Sequence, residues 1–228
     1  MKANIIEQLV EINNQFYLKV GEDFDKSRNY FWKGWDELIP YLKPNTNLID
    51  IGCGNGRFAE FIKDLQITYL GIDNNEYLIK KAINKNLEFA TFENIDILKM
   101  FDLANNFKYI CMFGILHHIP SFELRISFIK NLITKLNSSG LLIMSIWQFT
   151  QAPNFAKNIV SVNDFGIGND DIEPNDYLYK WNRGVSAIRY CHFVDNNEIK
   201  IILESCNLEI VKEFNADKFN KYLILKKK

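Results

Sequence analysis

This sequence predicts an α/β fold, a mostly parallel sheet covered by helices on both faces, and three observations carry that expectation. From residue 48 onward, short apolar runs rich in Ile, Leu and aromatics alternate with segments of helical period, as buried strands and their crossover helices do. A glycine-dense stretch, "LIDIGCGNGRF" at 48–58, joins the first run to the first helical segment. At 228 residues with 47% hydrophobic and 14% aromatic content, the chain can bury a full core as a single domain spanning 1–228.

The elements follow in order. Residues 1–45 form a helical preface, "IIEQLVEINNQFYLKV" and then a second helix around "WKGWDELIPYL" that ends at Pro44. Strands are expected at 47–51, 68–73, 107–113 and 141–147. Between them, 56–65, 76–85 and 123–137 place apolar residues three and four apart, as one-sided helices should. "NSSG" at 137–140 stops the last of these helices. The stretch of about 148–187 breaks the rhythm, with Pro153, Gly166, Gly168, Pro174 and Gly184 among Asn and Asp. It reads as a long insertion, a lid or recognition segment. Residues 195–207 then form an N-capped helix, and 208–214 and 221–227 a strand pair.

Composition narrows the function classes. A net charge of -1 gives no overall electrostatic footprint for nucleic acid, whose phosphates are bound by clustered Lys and Arg. Cys53, Cys111, Cys191 and Cys206 form no C-x-x-C pair, so no metal site is expected, neither a zinc site nor a redox dithiol. The first residues lack a signal-peptide pattern, and no apolar run approaches the ~20 residues that span a bilayer. A cytoplasmic protein without a membrane partner is the expectation.

A strand that ends in Asp50 and turns through Gly52, Gly54 and Gly56 into a helix brings bare backbone close to a ligand. Dinucleotides and S-adenosylmethionine both use that geometry. The dinucleotide fingerprint G-x-G-x-x-G/A wants a small residue where this chain has Arg57. Asp73 closes the next strand about 20 residues on, where a carboxylate accepts ribose hydroxyls; capping the following helix is its alternative role.

"D-I-G-C-G-N-G" resembles the first motif of the class I S-adenosylmethionine-dependent methyltransferases. The resemblance implies a Rossmann-like class I methyltransferase fold, a mostly parallel seven-stranded sheet with an antiparallel C-terminal strand pair. It implies S-adenosyl-L-methionine as cofactor, its methionine end held by the loop of Gly52, Cys53, Gly54 and Gly56, with Asp73 and Asn74 at the sugar. Asp96 would meet the adenine amino group with Ile97 on the ring, Asp96 being otherwise a surface turn carboxylate. Phe113 and Gly114 would border the methyl group. His117 and His118 are either a general base or locally packed side chains, since "LHHI" recurs across methyltransferases of many substrate classes.

Four stretches resemble one subfamily, the tRNA wobble-uridine methyltransferases that esterify a 5-carboxymethyl group. They are "FDKSRNYFW" with Phe24, Ser27, Arg28 and Trp32; "GCGNGRF"; Trp147 and Gln151 of "SIWQFTQ"; and "DYLYKW" followed by "RYCH". Lys180 and Val194 depart from the proline and the aromatic usual in that subfamily. The resemblance implies a tRNA substrate and a small zinc-binding activator subunit as partner. It also implies Arg189 as the fork that orients the substrate carboxylate, with Tyr190 and His192 lining the same pocket. Arg189 is otherwise a surface strand residue. Arg28 clamps the cofactor carboxylate or the substrate, or is a solvated charge, and Trp32, Trp147 and Trp181 stack a uracil or fill core. Two other readings stay open: a small-molecule O- or N-methyltransferase using His117 or His118 as base, and a catalytically silent S-adenosylmethionine-binding interaction protein.

Overall fold

A computed structural model describes residues 1–99, 106–182 and 184–228; Arg183, within the expected insertion, lies outside the described residues. The chain opens with α1 (Ala3–Lys26), whose buried stripe of Ile5, Leu9, Asn13, Phe16 and Val20 repeats every three or four residues. The second preface helix is a 3-10 helix, Lys33–Tyr41, which stops before Pro44. Pro40 lies inside it, and a proline there could not donate the amide an α-helix needs.

The main sheet has seven strands: β1 (Thr46–Ile51), β2 (Ile67–Asp73), β3 (Ala90–Asn94), β4 (Phe107–Phe113), β5 (Leu136–Trp147), and, at the far end of the chain, β9 (Leu208–Ala216) and β10 (Asn220–Lys227). Their order is β3-β2-β1-β4-β5-β10-β9. The first five are parallel, while β10 pairs antiparallel with both β5 and β9. Helices α2 (Arg57–Phe61), α3 (Glu76–Ile83), α4 (Phe122–Lys135) and α5 (Asn196–Ser205) connect them. Two apolar clusters lie on the two faces, one built on Ile49, Ile110, Met144 and Leu223, the other on Leu48, Tyr109, Ile143 and Tyr222. Neighbouring strand residues thus alternate between them. Strand order reverses between β1 and β4, so their carboxyl ends open the crevice where such folds bind ligands.

β3 was absent from the sequence expectation because "ATFEN" is a partly exposed edge strand without an apolar run. The "NSSG" stretch lies within β5, not at a helix end. α4 already stops at Lys135, and the register against β4 jumps from Phe107↔Leu136 to Tyr109↔Leu141. The four residues are accommodated as a bulge.

The insertion is a packed unit. Short 3-10 turns lead into a second, antiparallel sheet of β6 (Ile159–Val160), β7 (Asp176–Trp181) and β8 (Ala187–His192). α1 holds this sheet: Ile5 and Leu9 pack with Val162, Leu178 and Tyr190, and Phe16 and Val20 with Trp181 and Ala187. Buried Asn13 is satisfied on both sides, accepting from the Tyr190 amide at 2.9 Å and donating to the His118 carbonyl at 3.3 Å.

A buried ionic network ties the small sheet to α4 and α5. Arg125 Nε donates to Glu198 at 2.6 Å and Arg125 Nη2 to Glu173 at 3.0 Å. Glu173 also accepts from the Phe122 amide at the start of α4. His192 bridges Asp176 at 2.7 Å and Glu198 at 2.6 Å, and Tyr190 donates to Asp176 at 2.6 Å. Burial pulls the His192 imidazole down, but its hydrogen bonds to Asp176 and Glu198 outweigh that and leave its pKa raised from 6.5.

Removing Arg125 leaves Glu173 without an ionic partner and Glu198 with His192 alone, so Arg125→Met is expected to cost about 3–5 kcal/mol in urea unfolding; a loss below about 1 kcal/mol would contradict the network's role. Because the folded pKa of His192 is raised, its contribution is complete below the unfolded value of 6.5 and is lost as pH rises through the folded one. His192→Gln should therefore remove part of the stability decline on the alkaline side.

Candidate active site

A cavity of about 1100 Å³ opens at the carboxyl ends of β1 and β4, lined by Gly52, Cys53, Gly54, Phe113 and Gly114 and, from the small sheet, by Tyr179, Trp181 and Arg189. Beside it lies a smaller cavity of about 130 Å³, lined by Asp73, Asn74, Asp96, Ile97 and Phe113; Gly52, Gly54 and Gly114 border both. The fold thus brings most of the sequence-derived cofactor set to one crevice.

The glycine loop earns its bareness at its side-chain face, not through free amides. The Gly52 and Cys53 amides donate to the Ile72 carbonyl at 2.8 and 3.0 Å, and the Gly54 amide donates to Asp73 at 3.0 Å. What the loop offers is space. A Cβ on Gly54 would meet nothing within 4 Å, and both Gly52 and Gly54 hold positive φ, +73° and +55°. Asp73 accepts from Gly54 and from the Asn75 amide, which fixes the carboxylate while each oxygen keeps a lone pair for the small cavity. The cap of α3 is Asn75, which accepts from the Leu78 amide, so capping is not the role of Asp73. Asp96 does stand in a surface turn, accepting from Leu98 at 3.0 Å and pairing with Lys99 at 3.2 Å, while also lining the small cavity.

Asp50 is 2% exposed; the Tyr69 hydroxyl donates to one oxygen, and the other has no partner among the described residues. Burial pushes its carboxyl up to about 7. An orphaned acceptor and a bare glycine face on one cavity wall fit S-adenosylmethionine. Asp50 could take its amino group, Gly54 the methionine chain, Asp73 the ribose, and Asp96 with Ile97 the adenine.

Arg189 is 6% exposed, not a surface residue. Its guanidinium lies over Trp147 at 4.5 Å, Phe16 at 5.3 Å and Trp181 at 5.6 Å, and its Nε has no hydrogen-bond partner. No carboxylate among the described residues pairs with it. Aromatic faces stabilise such a cation by ~0.5–2 kcal/mol each, which does not replace the hydrogen bonds a guanidinium loses on burial. The site is set for an anion.

Tyr190 and His192 do not share that pocket. Successive strand residues point to opposite faces, so Arg189 and Cys191 face the cavity side while Tyr190 and His192 turn into the ionic network. His118 is a packed side chain: Nε2 meets the Tyr17 hydroxyl at 2.8 Å and Nδ1 the Tyr190 carbonyl at 3.3 Å. His117 lines the large cavity with its Nδ1 unpartnered, its ring 5.3 Å from Trp147. Burial, with His118 and Arg189 adding, holds its pKa well below 6.5. Arg28, half-buried and lying over the Phe24 ring at 4.7 Å, lines the large cavity, as do Trp32, Trp147 and Trp181; Gln151 is exposed and does not.

Arg57 enters the site list from the structure. It donates to the Tyr30 carbonyl at 2.6 Å and lies over Trp32 and Trp35, both at 5.4 Å. The signal was present in sequence as the basic residue after the glycines. Four exposed lysines, Lys33, Lys157, Lys180 and Lys218, rim the same cavity, against Asp50 and Asp217 as its acids.

A family model described as a methyltransferase domain matches residues 24–213. The mouse "Probable tRNA methyltransferase 9B" is 28% identical over 158 residues, 68% of this chain and 31% of that protein. The Saccharomyces cerevisiae "tRNA (carboxymethyluridine(34)-5-O)-methyltransferase" is 24% identical over 150 residues, 64% of this chain and 51% of that protein. The alignments span about a third of the first curated relatives, and these are distant likenesses. Among solved structures, a S-adenosylmethionine-dependent methyltransferase from Methanosarcina mazei superposes with a TM-score of 0.66 at 21% identity, over 84% of this chain and 96% of that one. One from Clostridium acetobutylicum gives 0.65 at 13%, over 94% and 98%. These structures establish the fold.

Burial, with the charge of Arg189 adding, lowers the His118 pKa to about 3. In an imidazole NMR titration its resonances should stay neutral between about pH 8 and 5. The folded state then binds fewer protons than the unfolded one, so this contribution to stability is present above 6.5 and lost as pH falls below it. A midpoint near 6.5 would show that the ring is not packed as described.

Proposed function

We propose a reaction from one premise: this chain belongs to the S-adenosylmethionine-dependent methyltransferase family, the matched domain covering residues 24–213. The acceptor in this reading is the carboxylate of a 5-carboxymethyl group on a tRNA wobble uridine, and the product its methyl ester. Arg189 carries the reading: a buried guanidinium with no internal carboxylate, open to the cavity that Gly54 and Gly114 also line. The subsidiary support is the likeness to curated tRNA methyltransferases. An activator subunit enters from the subfamily resemblance alone.

When bound, S-adenosylmethionine supplies a methyl group made electrophilic by its sulfonium. The chain's residues have to bind, align and dehydrate the acceptor. A carboxylate is ionised at neutral pH, so no side chain need remove a proton. The Arg189 fork fixes the two oxygens and so the direction of approach. Trp147, Trp181 and Phe16 exclude water from around it, which raises the reactivity of the anion. Trp32, which lines the same cavity, is the candidate stacking partner for a uracil.

The net charge of -1 does not oppose this reading, because charge is partitioned by face. Of the insertion's acids, Glu173 and Asp176 enter the ionic network, Asp171 pairs with Lys2, and the exposed Asp164 and Asp170 do not line the cavity, while Lys157 and Lys180 rim it. Lys180, the departure from the subfamily's proline, adds one of these cations.

One observation favours a second reading, a small-molecule O- or N-methyltransferase: His117 lines the cavity with its buried Nδ1 unpartnered, a proton acceptor for a hydroxyl or amine, although the burial that holds its pKa well below 6.5 makes it a weak base.

The test is to incubate the protein with methyl-labelled cofactor and carboxymethylated tRNA, then treat the product with mild base. Labelled methanol is expected. Arg189→Ala should lower kcat/KM by about 30-fold or more, equivalent to ~2 kcal/mol or above. Label that resists base removes the carboxylate, and labelling of small molecules alone promotes the His117 reading.

A further inference from the structure

At one side of the cavity mouth two aromatic residues stand open. Tyr30 is 53% and Phe31 45% exposed, and both line the cavity. They are fixed from within. The Tyr30 carbonyl accepts from Arg57 at 2.6 Å, the Arg57 guanidinium lies over one side of the Tyr30 ring at 6.0 Å, and the Phe31 ring meets Phe61 edge-on at 5.5 Å. Exposed large aromatics at the entrance to a cationic cavity are not accounted for by core packing.

Beside them stand two exposed lysines from distant parts of the chain, Lys33 and Lys218. Asp217 brings them together. Its carboxylate accepts from the Lys33 amide at 2.8 Å, the Gly34 amide at 3.2 Å and the Tyr222 hydroxyl at 2.6 Å, and Lys218 is the next residue in the β9–β10 turn. Neither ammonium pairs with a carboxylate among the described residues. The side chains are thus left to solvent while their backbones are held.

The geometry points to a seat for single-stranded RNA, in which the base next to the one entering the cavity stacks on Tyr30 and Phe31 and its flanking phosphates lie against Lys33 and Lys218. The occupant follows from the pairing of features: open π-faces take unstacked bases of any sequence, and point cations beside them take phosphates. A duplex offers phosphates but no free base face. This inference rests on the RNA reading above and adds that the loop is gripped through a neighbouring nucleotide, by residues at the cavity mouth rather than by Arg189.

The test is fluorescence anisotropy of the full chain with an unmodified stem-loop RNA and with a blunt duplex of the same length. Tyr30→Ala/Phe31→Ala is expected to weaken stem-loop binding about tenfold or more and to leave duplex binding unchanged. Lys33→Gln/Lys218→Gln, exposed changes that spare the packing, should shrink the slope of log affinity against log salt by about 1.4. Affinity for S-adenosylmethionine, measured alongside by calorimetry, reports that the variants fold. Unchanged stem-loop affinity and slope, equal losses on stem-loop and duplex, or no RNA binding by the parent protein would each overturn the seat. Failure of the carboxylate reading shows separately, as absence of base-labile methyl from the parent protein's product.

Discussion

Strand β8 faces two ways, and the site depends on that alternation. On one side Tyr190 and His192 enter the network of Asp176, Glu198 and Arg125 that binds the small sheet to the Rossmann-like core. On the other, Arg189 is presented to the cavity between Trp147 and Trp181. The buried charges on the first side are mutually compensated; the one on the second is not. A single strand thus anchors the insertion and leaves a cation exposed to whatever anion the crevice admits.

The remaining parts of the crevice belong to the core. Order reversal at β1 and β4 opens the space, the bare face of Gly54 keeps it open, and Asp73, held by two amides, stands at the edge of the small cavity. The residues proposed to hold the cofactor come from the ends of the parallel strands, and the candidate substrate residue comes from β8 of the small sheet. α1 joins the two, with Asn13 bonded to both the His118 loop and β8. This division suits a family in which one methyl donor serves many acceptors.

Much of the core was legible because its requirements are local. The positive φ of Gly54 favours glycine, and a carboxylate at the end of β2 follows from spacing, so the loop and Asp73 are legible in the chain alone. β3 carries no such signal because an edge strand needs no continuous apolar run, and "NSSG" reads as a helix end because a bulge uses the same residues. Pro40 could have argued for a 3-10 helix. That Tyr190 and His192 face away from Arg189 is legible in the sequence, since residues one and three apart on a strand face opposite ways. The basic rim was not legible: Lys33, Lys157, Lys180 and Lys218 are scattered along the chain and meet only through the fold.

The most direct measurement is a crystal structure of the protein with S-adenosylhomocysteine. The account expects adenine in the small cavity against Ile97, ribose hydroxyls on Asp73, and the sulfur at Gly114 opening toward an Arg189 that still lacks a carboxylate partner. A product bound elsewhere, or an Arg189 neutralised by the amino-acid end of the product itself, would contradict it.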